Sequence, residues 1–139
     1  MIVADTGAII ALLDRSEANH KVLNRLFADT GESWVIPWAV IPEVDYLLAT
    51  RLSQKVRRAF LEDIADGAFT AVWGSDADFQ RAVEIDALYA SLGLGLVDAM
   101  VFALAERLRA DAIVTLDIRH FGSVRPLRPI RLLPRDLAS

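Results

Sequence analysis

The sequence contains no cysteine, which excludes a disulfide framework, a thiolate metal site and a cysteine nucleophile. Histidine is scarce: His20 and His120 stand too far apart for spacing to argue a metal pair. Lysine is confined to Lys21 and Lys55, both early and in helical stretches. A phosphotransfer site built on Asp5 would need a late strand-end lysine or a second aspartate close behind, and has neither. There is no basic excess, because 15 Lys and Arg face 19 Asp and Glu for a net charge of −4, whereas nucleic-acid binders usually lean the other way. No apolar run approaches the roughly 18 residues of a membrane helix, and no basic region precedes the opening MIVA. The expectation is a soluble, cytoplasmic protein without a membrane part. Repeats, linkers and low-complexity segments are also missing.

What is present is apolar. At 139 residues and 54% hydrophobic, the chain can bury a core without metal or disulfide staples, and residues 1–139 read as a single domain. Short apolar runs at Ile2-Val3-Ala4, Trp34-Val35-Ile36, Phe69–Val72 and Ala112–Thr115 predict strands, with a fifth at Ile130-Arg131-Leu132. Helical periodicity fills the intervals. It starts after Gly7, at Ser16 or Asn19, near Pro42, after a Ser53 cap, after Ser75 or Asp76, and near Val97. The expected inward stripes are Val22, Leu23, Leu26 and Phe27; then Val44, Leu47 and Leu48; then Val56, Phe60, Leu61 and Ile64; then Phe79, Val83, Ala87 and Leu88. Alternating strands and helices, with strands apolar throughout, predict an α/β fold. It is a three-layer α/β/α sandwich around a mostly parallel sheet of four to five strands.

That architecture removes one tempting reading. Asp5-Thr6-Gly7 spells the aspartic protease signature, but those enzymes are all-β and this chain is largely helical. Ligands of open parallel sheets gather at the carboxyl ends of the strands, so acidic residues there carry the argument. Asp5 ends the first strand and can equally cap the next helix. Glu43 falls on the apolar stripe above Leu47, where burial penalises an unpaired charge, or else sits half exposed at a helix start; Asp45 points the other way, to water. Asp98 opens VDAMVFALAERL, a helix apolar nearly all round. Asp117 follows the last long buried run, where turn chemistry is its plain alternative. If the four carboxylates converge, repulsion raises their pKa values or demands a cation. Oxygen ligands favour a hard ion, Mg²⁺ or Mn²⁺, and such a site suits phosphodiester hydrolysis.

The ordered set resembles a PIN-domain ribonuclease, and within that family a VapC toxin of a type II toxin–antitoxin pair. Its elements are the first strand running into Asp5-Thr6, Glu43 in IPEVDYLLATRL, Asp98 in GLGLVDAMVFALAERL, and the closing TLDIRHF. The resemblance covers the whole chain. It implies that Asp5, Glu43 and Asp98 are core metal ligands and Asp117 the fourth acid, with the Thr6 and Thr115 hydroxyls steadying the cluster. It further implies an Mg²⁺- or Mn²⁺-dependent endoribonuclease acting on tRNA, rRNA or mRNA, a homodimer, and a cognate antitoxin that inhibits by covering the site. An RNA-processing PIN nuclease and an inactive RNA-binding PIN module are the alternatives. Arg119, His120, Arg51 and Arg58 are candidate RNA contacts. Trp34, Trp38 and Trp73 can stack on bases, but beside strands they are expected in the core.

Overall fold

The computed structural model describes residues 1–137; residues 138 and 139, the end of the expected domain, lie outside the description. All five expected strands form: β1 (Ile2–Ala4), β2 (Trp34–Pro37), β3 (Phe69–Val72), β4 (Ala112–Val114) and β5 (Arg131–Leu133). They make one sheet in the order β3-β2-β1-β4-β5, and every pairing is parallel. The central strands β1 and β4 have fully buried partners at Val3, Ala4, Ile113 and Val114, which is why they carry no polar alternation.

The helices are α1 (Thr6–Leu13), α2 (His20–Asp29), α3 (Val40–Arg51), α4 (Gln54–Ala65), α5 (Asp76–Leu88), α6 (Leu96–Arg107) and the single turn α7 (Ile118–Phe121), with a 3₁₀ turn at Ala90–Leu92. Strand order steps outward from β1 to β3 and then returns to β4. Right-handed crossovers therefore put α1–α4 on one face of the sheet and α5 and α6 on the other. The contacts agree, with α1 against α2 and α3, α3 against α4, and α5 against α6. The core includes Trp34, Phe60, Phe102, Phe121 and Ile9, with Phe27 edge-on to Trp34 at 5.0 Å. No helix among the described residues is long and apolar enough to cross a membrane.

Several expected faces turn out differently. In α2 only Leu23 is buried, and Val22 is exposed. Helix α3 starts at Val40 and buries Val40, Val44 and Leu48, so Glu43 is exposed rather than inside. Asp45 does not simply face water; it binds Arg57 of α4 at 2.8 Å. Leu61 of α4 is exposed although Ser53 caps the helix as expected.

Helix α5 is the largest correction. Phe79 and Val83 are 51% and 50% exposed, and the buried stripe is Asp78, Ala82 and Ile85. A capping box sets this rotation: the Asp78 amide donates to Ser75 Oγ at 3.2 Å, and Asp78 Oδ2 accepts from the Ser75 amide at 2.8 Å. Arg107 of α6 then donates through Nε to both Asp78 oxygens, at 2.8 and 2.9 Å. A cap and an ion pair together override the apolar periodicity.

Candidate metal centre at the sheet edge

Asp5 leaves β1 at its carboxyl end and turns directly into α1. Its Oδ1 accepts from the Ala8 amide at 2.8 Å, so it does cap the helix. Its Oδ2 accepts from the Thr115 hydroxyl at 2.5 Å. Thr115 directly follows β4, the strand beside β1, and its hydroxyl oxygen also accepts from the Asp117 amide at 3.0 Å. A single buried threonine thus ties the ends of two neighbouring strands to two of the acids. Thr6 is different: its Oγ1 is buried with no hydrogen-bond partner in the protein.

Asp98 arrives from the other face, in the first turn of α6. The approach depends on Gly93 and Gly95, whose φ of 63° and 85° lie in the left-handed region open to glycine. Buried Leu94 pins the turn between them. Asp117 caps α7, with Oδ1 accepting from the His120 amide at 3.1 Å and Oδ2 2.7 Å from His120 Nδ1.

These elements line a cleft of about 460 Å³ whose walls include Asp5, Glu17, Glu43, Asp98 and Asp117. Arg51, at the end of α3, is the one cation among those lining residues. Ligand atoms of Asp98, Asp117 and His120 all lie within 4.8 Å of one another. Asp5 and Glu43 border the same cleft outside that tight group. Glu43 reaches it from the solvent side of α3 together with Leu47.

The electrostatics follow from this crowding. Burial pushes the Asp5 carboxyl up to about 6, against the hydrogen bonds from Thr115 and Ala8, and the charges of Asp117 and Glu43 add to the rise. Asp98 is pushed up to about 7 by burial first, then by the charges of Asp5, Asp117 and Glu43. The hydrogen bond to Asp117 holds His120 above its ordinary value. A cleft with five carboxylates and Arg51 as the one lining cation, beside the Thr6 hydroxyl that has no partner among the described residues, fits a hard divalent ion such as Mg²⁺ or Mn²⁺.

Among the other residues singled out in the sequence, Arg119 and Arg58 are exposed on α7 and α4, and neither lines the cleft. Trp34 is buried in the core, but Trp38 and Trp73 are 39% and 71% exposed and are not core residues. Glu17 escaped sequence reasoning, whereas His120 is among the expected RNA contacts. Glu17 sits in the turn between α1 and α2, where no periodicity marks it. His120 has a visible signal, its three-residue spacing from Asp117, which a short helix turns into contact.

The PIN domain family profile matches residues 2–125. Ribonuclease VapC26 of Mycobacterium tuberculosis is 32% identical over 126 residues, covering 91% of this chain and 93% of that protein. Among solved structures, VapC20 of the same species, a sarcin–ricin loop cleaving toxin, superposes with a TM-score of 0.78 at 20% identity, over 93% of this chain and 100% of that one. VapBC2 of Rickettsia felis, bound to a DNA fragment from its promoter, gives a TM-score of 0.70 at 16% identity over 95% and 97%. The structural likenesses speak for the fold, and the sequence matches for the family. Strand order, acids and matches converge: the chain belongs to the PIN-domain family, in its VapC branch.

Proposed function

We propose that this protein is an Mg²⁺-dependent endoribonuclease, with Mn²⁺ as a working substitute, and the toxin of a toxin–antitoxin pair. The observation that carries the reading is the group of acids converging on one cleft without a guanidinium partner, two of them with raised pKa values. When bound, the ion neutralises that charge, lowers the pKa of a water and steadies the leaving oxygen of a phosphodiester. Asp98 and Asp117 are its direct ligands, with Asp5 and Glu43 completing the acidic shell. Thr115 fixes the orientation of Asp5. His120, held by Asp117, is placed to donate to the phosphate or leaving group. Arg51 on the cleft wall contacts a neighbouring phosphate, and Arg119 and Arg58 contact RNA farther out. The products carry 5′-phosphate and 3′-hydroxyl ends.

The VapBC assemblies among the structural relatives support a cognate antitoxin partner. The family resemblance supports a second copy of the chain, and the exposed Phe79 and Val83, one turn apart on α5, are candidates for its contact. The cytoplasm, where RNA and antitoxin meet, is the site of action. The test incubates the purified protein with tRNA, mRNA and rRNA, including the sarcin–ricin loop, in Mg²⁺, Mn²⁺ or EDTA, and maps the ends. Metal-dependent internal cuts leaving 5′-phosphates are expected. Cleavage that persists in EDTA contradicts the reading.

A further inference from the structure

We infer that Trp38 and Trp73 form a stacking platform for a nucleobase of single-stranded RNA, beside the bond to be cut. The inference deepens the endoribonuclease reading and rests on it. Trp38 directly follows the last residue of β2 and Trp73 the last residue of β3, and those residues, Pro37 and Val72, are register partners. The Trp38 amide donates to the Val72 carbonyl at 3.0 Å, which locks the two chain ends together. Both indoles therefore stand at the carboxyl edge of the sheet. Asp5 and Asp117 stand at the same edge, on β1 and just beyond β4. With the strand order β3-β2-β1-β4, Trp38 lies one strand spacing from the Asp5 strand and Trp73 two, about 10 Å. Nucleotides flanking a phosphate held at the acids fall within that reach.

The indoles are arranged for this task. Their centroids lie 6.0 Å apart at an interplanar angle of 20°, so the rings are nearly parallel. Trp73 is the more open of the two, and neither ring nitrogen has a hydrogen-bond partner among the protein's described contacts. Trp38 is braced from below. A Cβ on Gly74 would come within 3.4 Å of Trp38 Nε1 and 3.0 Å of Met100 Cε. Met100, which packs beside Gly74, is on α6 two residues beyond Asp98. Aromatic faces bind any base, and the cleft itself is acidic. Stacking offers an acidic protein affinity for RNA that its charge does not.

The test is a fluorescence titration of the full-length protein with a mixed-sequence single-stranded RNA oligonucleotide in Ca²⁺, to limit turnover. Trp34 is wholly buried, so quenching reports Trp38 and Trp73. Saturable quenching is expected for the wild type. Trp38→Ala and Trp73→Ala should each weaken binding roughly tenfold, consistent with the loss of one stacked base. Trp73→Phe should retain most of the affinity, and in Mg²⁺ the alanine variants should show raised KM with little change in kcat. Wild-type RNA binding that is unchanged in both alanine variants overturns the platform alone. Variants that convert a dimer to monomers at unchanged affinity per chain overturn it too, by making the pair a protein interface. A wild type that binds no RNA overturns both the platform and the nuclease reading.

Discussion

Two carboxylates of nearly equal burial meet opposite fates in this molecule. Asp5 is 5% exposed at the sheet edge and Asp78 is 3% exposed between α5 and α6. Burial works against the charged form of both. At Asp78 it is outweighed by the Ser75 amide, Arg107 and the Ser75 hydroxyl, and the carboxyl stays below its ordinary value. Neighbouring Glu106 accepts a hydrogen bond from Arg81 Nε at 2.8 Å. At the edge, the hydrogen bonds to Asp5 do not offset burial and the like charges around it, and no guanidinium pairs with it. Burial alone does not mark a site; a buried acid without its cation does.

The sharpest break of this contrast is removal of one edge acid. Asp98→Asn or Asp5→Asn should lower RNA cleavage by more than about a hundredfold, beyond what a supporting group alone contributes. Asp98→Asn should not lower the thermal midpoint of the metal-free protein, since it removes repulsion. A matching loss of stability in both variants would make these acids structural.

The paired acid should respond the other way round. Asp78→Ala removes a capping box and strands Arg107, and should cost about 1–3 kcal/mol in urea unfolding. Cleavage per folded molecule should be unchanged. Between the two lies Thr115→Val, which leaves Asp5 Oδ2 and the Asp117 amide without their shared hydroxyl. Cleavage should fall about 10–100-fold, with a smaller stability loss than Asp78→Ala, read in the same two assays.

The pH dependence gives the subtlest separation. Asp5 and Asp98 titrate in the folded chain near 6 and 7, above their ordinary 3.8. The folded state therefore keeps protons that the unfolded state has released. Their contribution makes the metal-free protein less stable as pH rises from about 4 through about 7. Asp78, held below 3.8, contributes stability that is lost only as pH falls below that value. Thermal midpoints of the wild type and Asp98→Asn across this range should converge at low pH, with the variant higher above pH 7.

Much of this was legible in the residues, and the failures share a cause. The succession of strands and helices along the chain and three of the cap positions follow from local chemistry, because apolar strands and caps are specified within a few residues. The four acids were legible as strand-end and helix-start anomalies. The inward face of α5 was not, because Phe79 and Val83 obey helical periodicity while Asp78 is held inside by Arg107, a partner far along the chain. Glu43 was placed on the right helix with two surfaces left open to it, because its neighbour Leu47 both packs against the core and lines the cleft. Trp38 and Trp73 follow buried strands yet project past the sheet's end, where strand chemistry no longer decides burial.

If the proposed site is correct, the acids at the sheet edge bind a divalent ion and the arginine-paired acids Asp78 and Glu106 do not. Calorimetric titration of the metal-free protein with Mn²⁺, for the wild type, Asp98→Asn and Asp78→Asn, tests it directly. The account predicts saturable binding in the wild type, strong loss in Asp98→Asn, and wild-type affinity in folded Asp78→Asn. Equal Mn²⁺ binding by the wild type and Asp98→Asn, or none by the wild type, would contradict it.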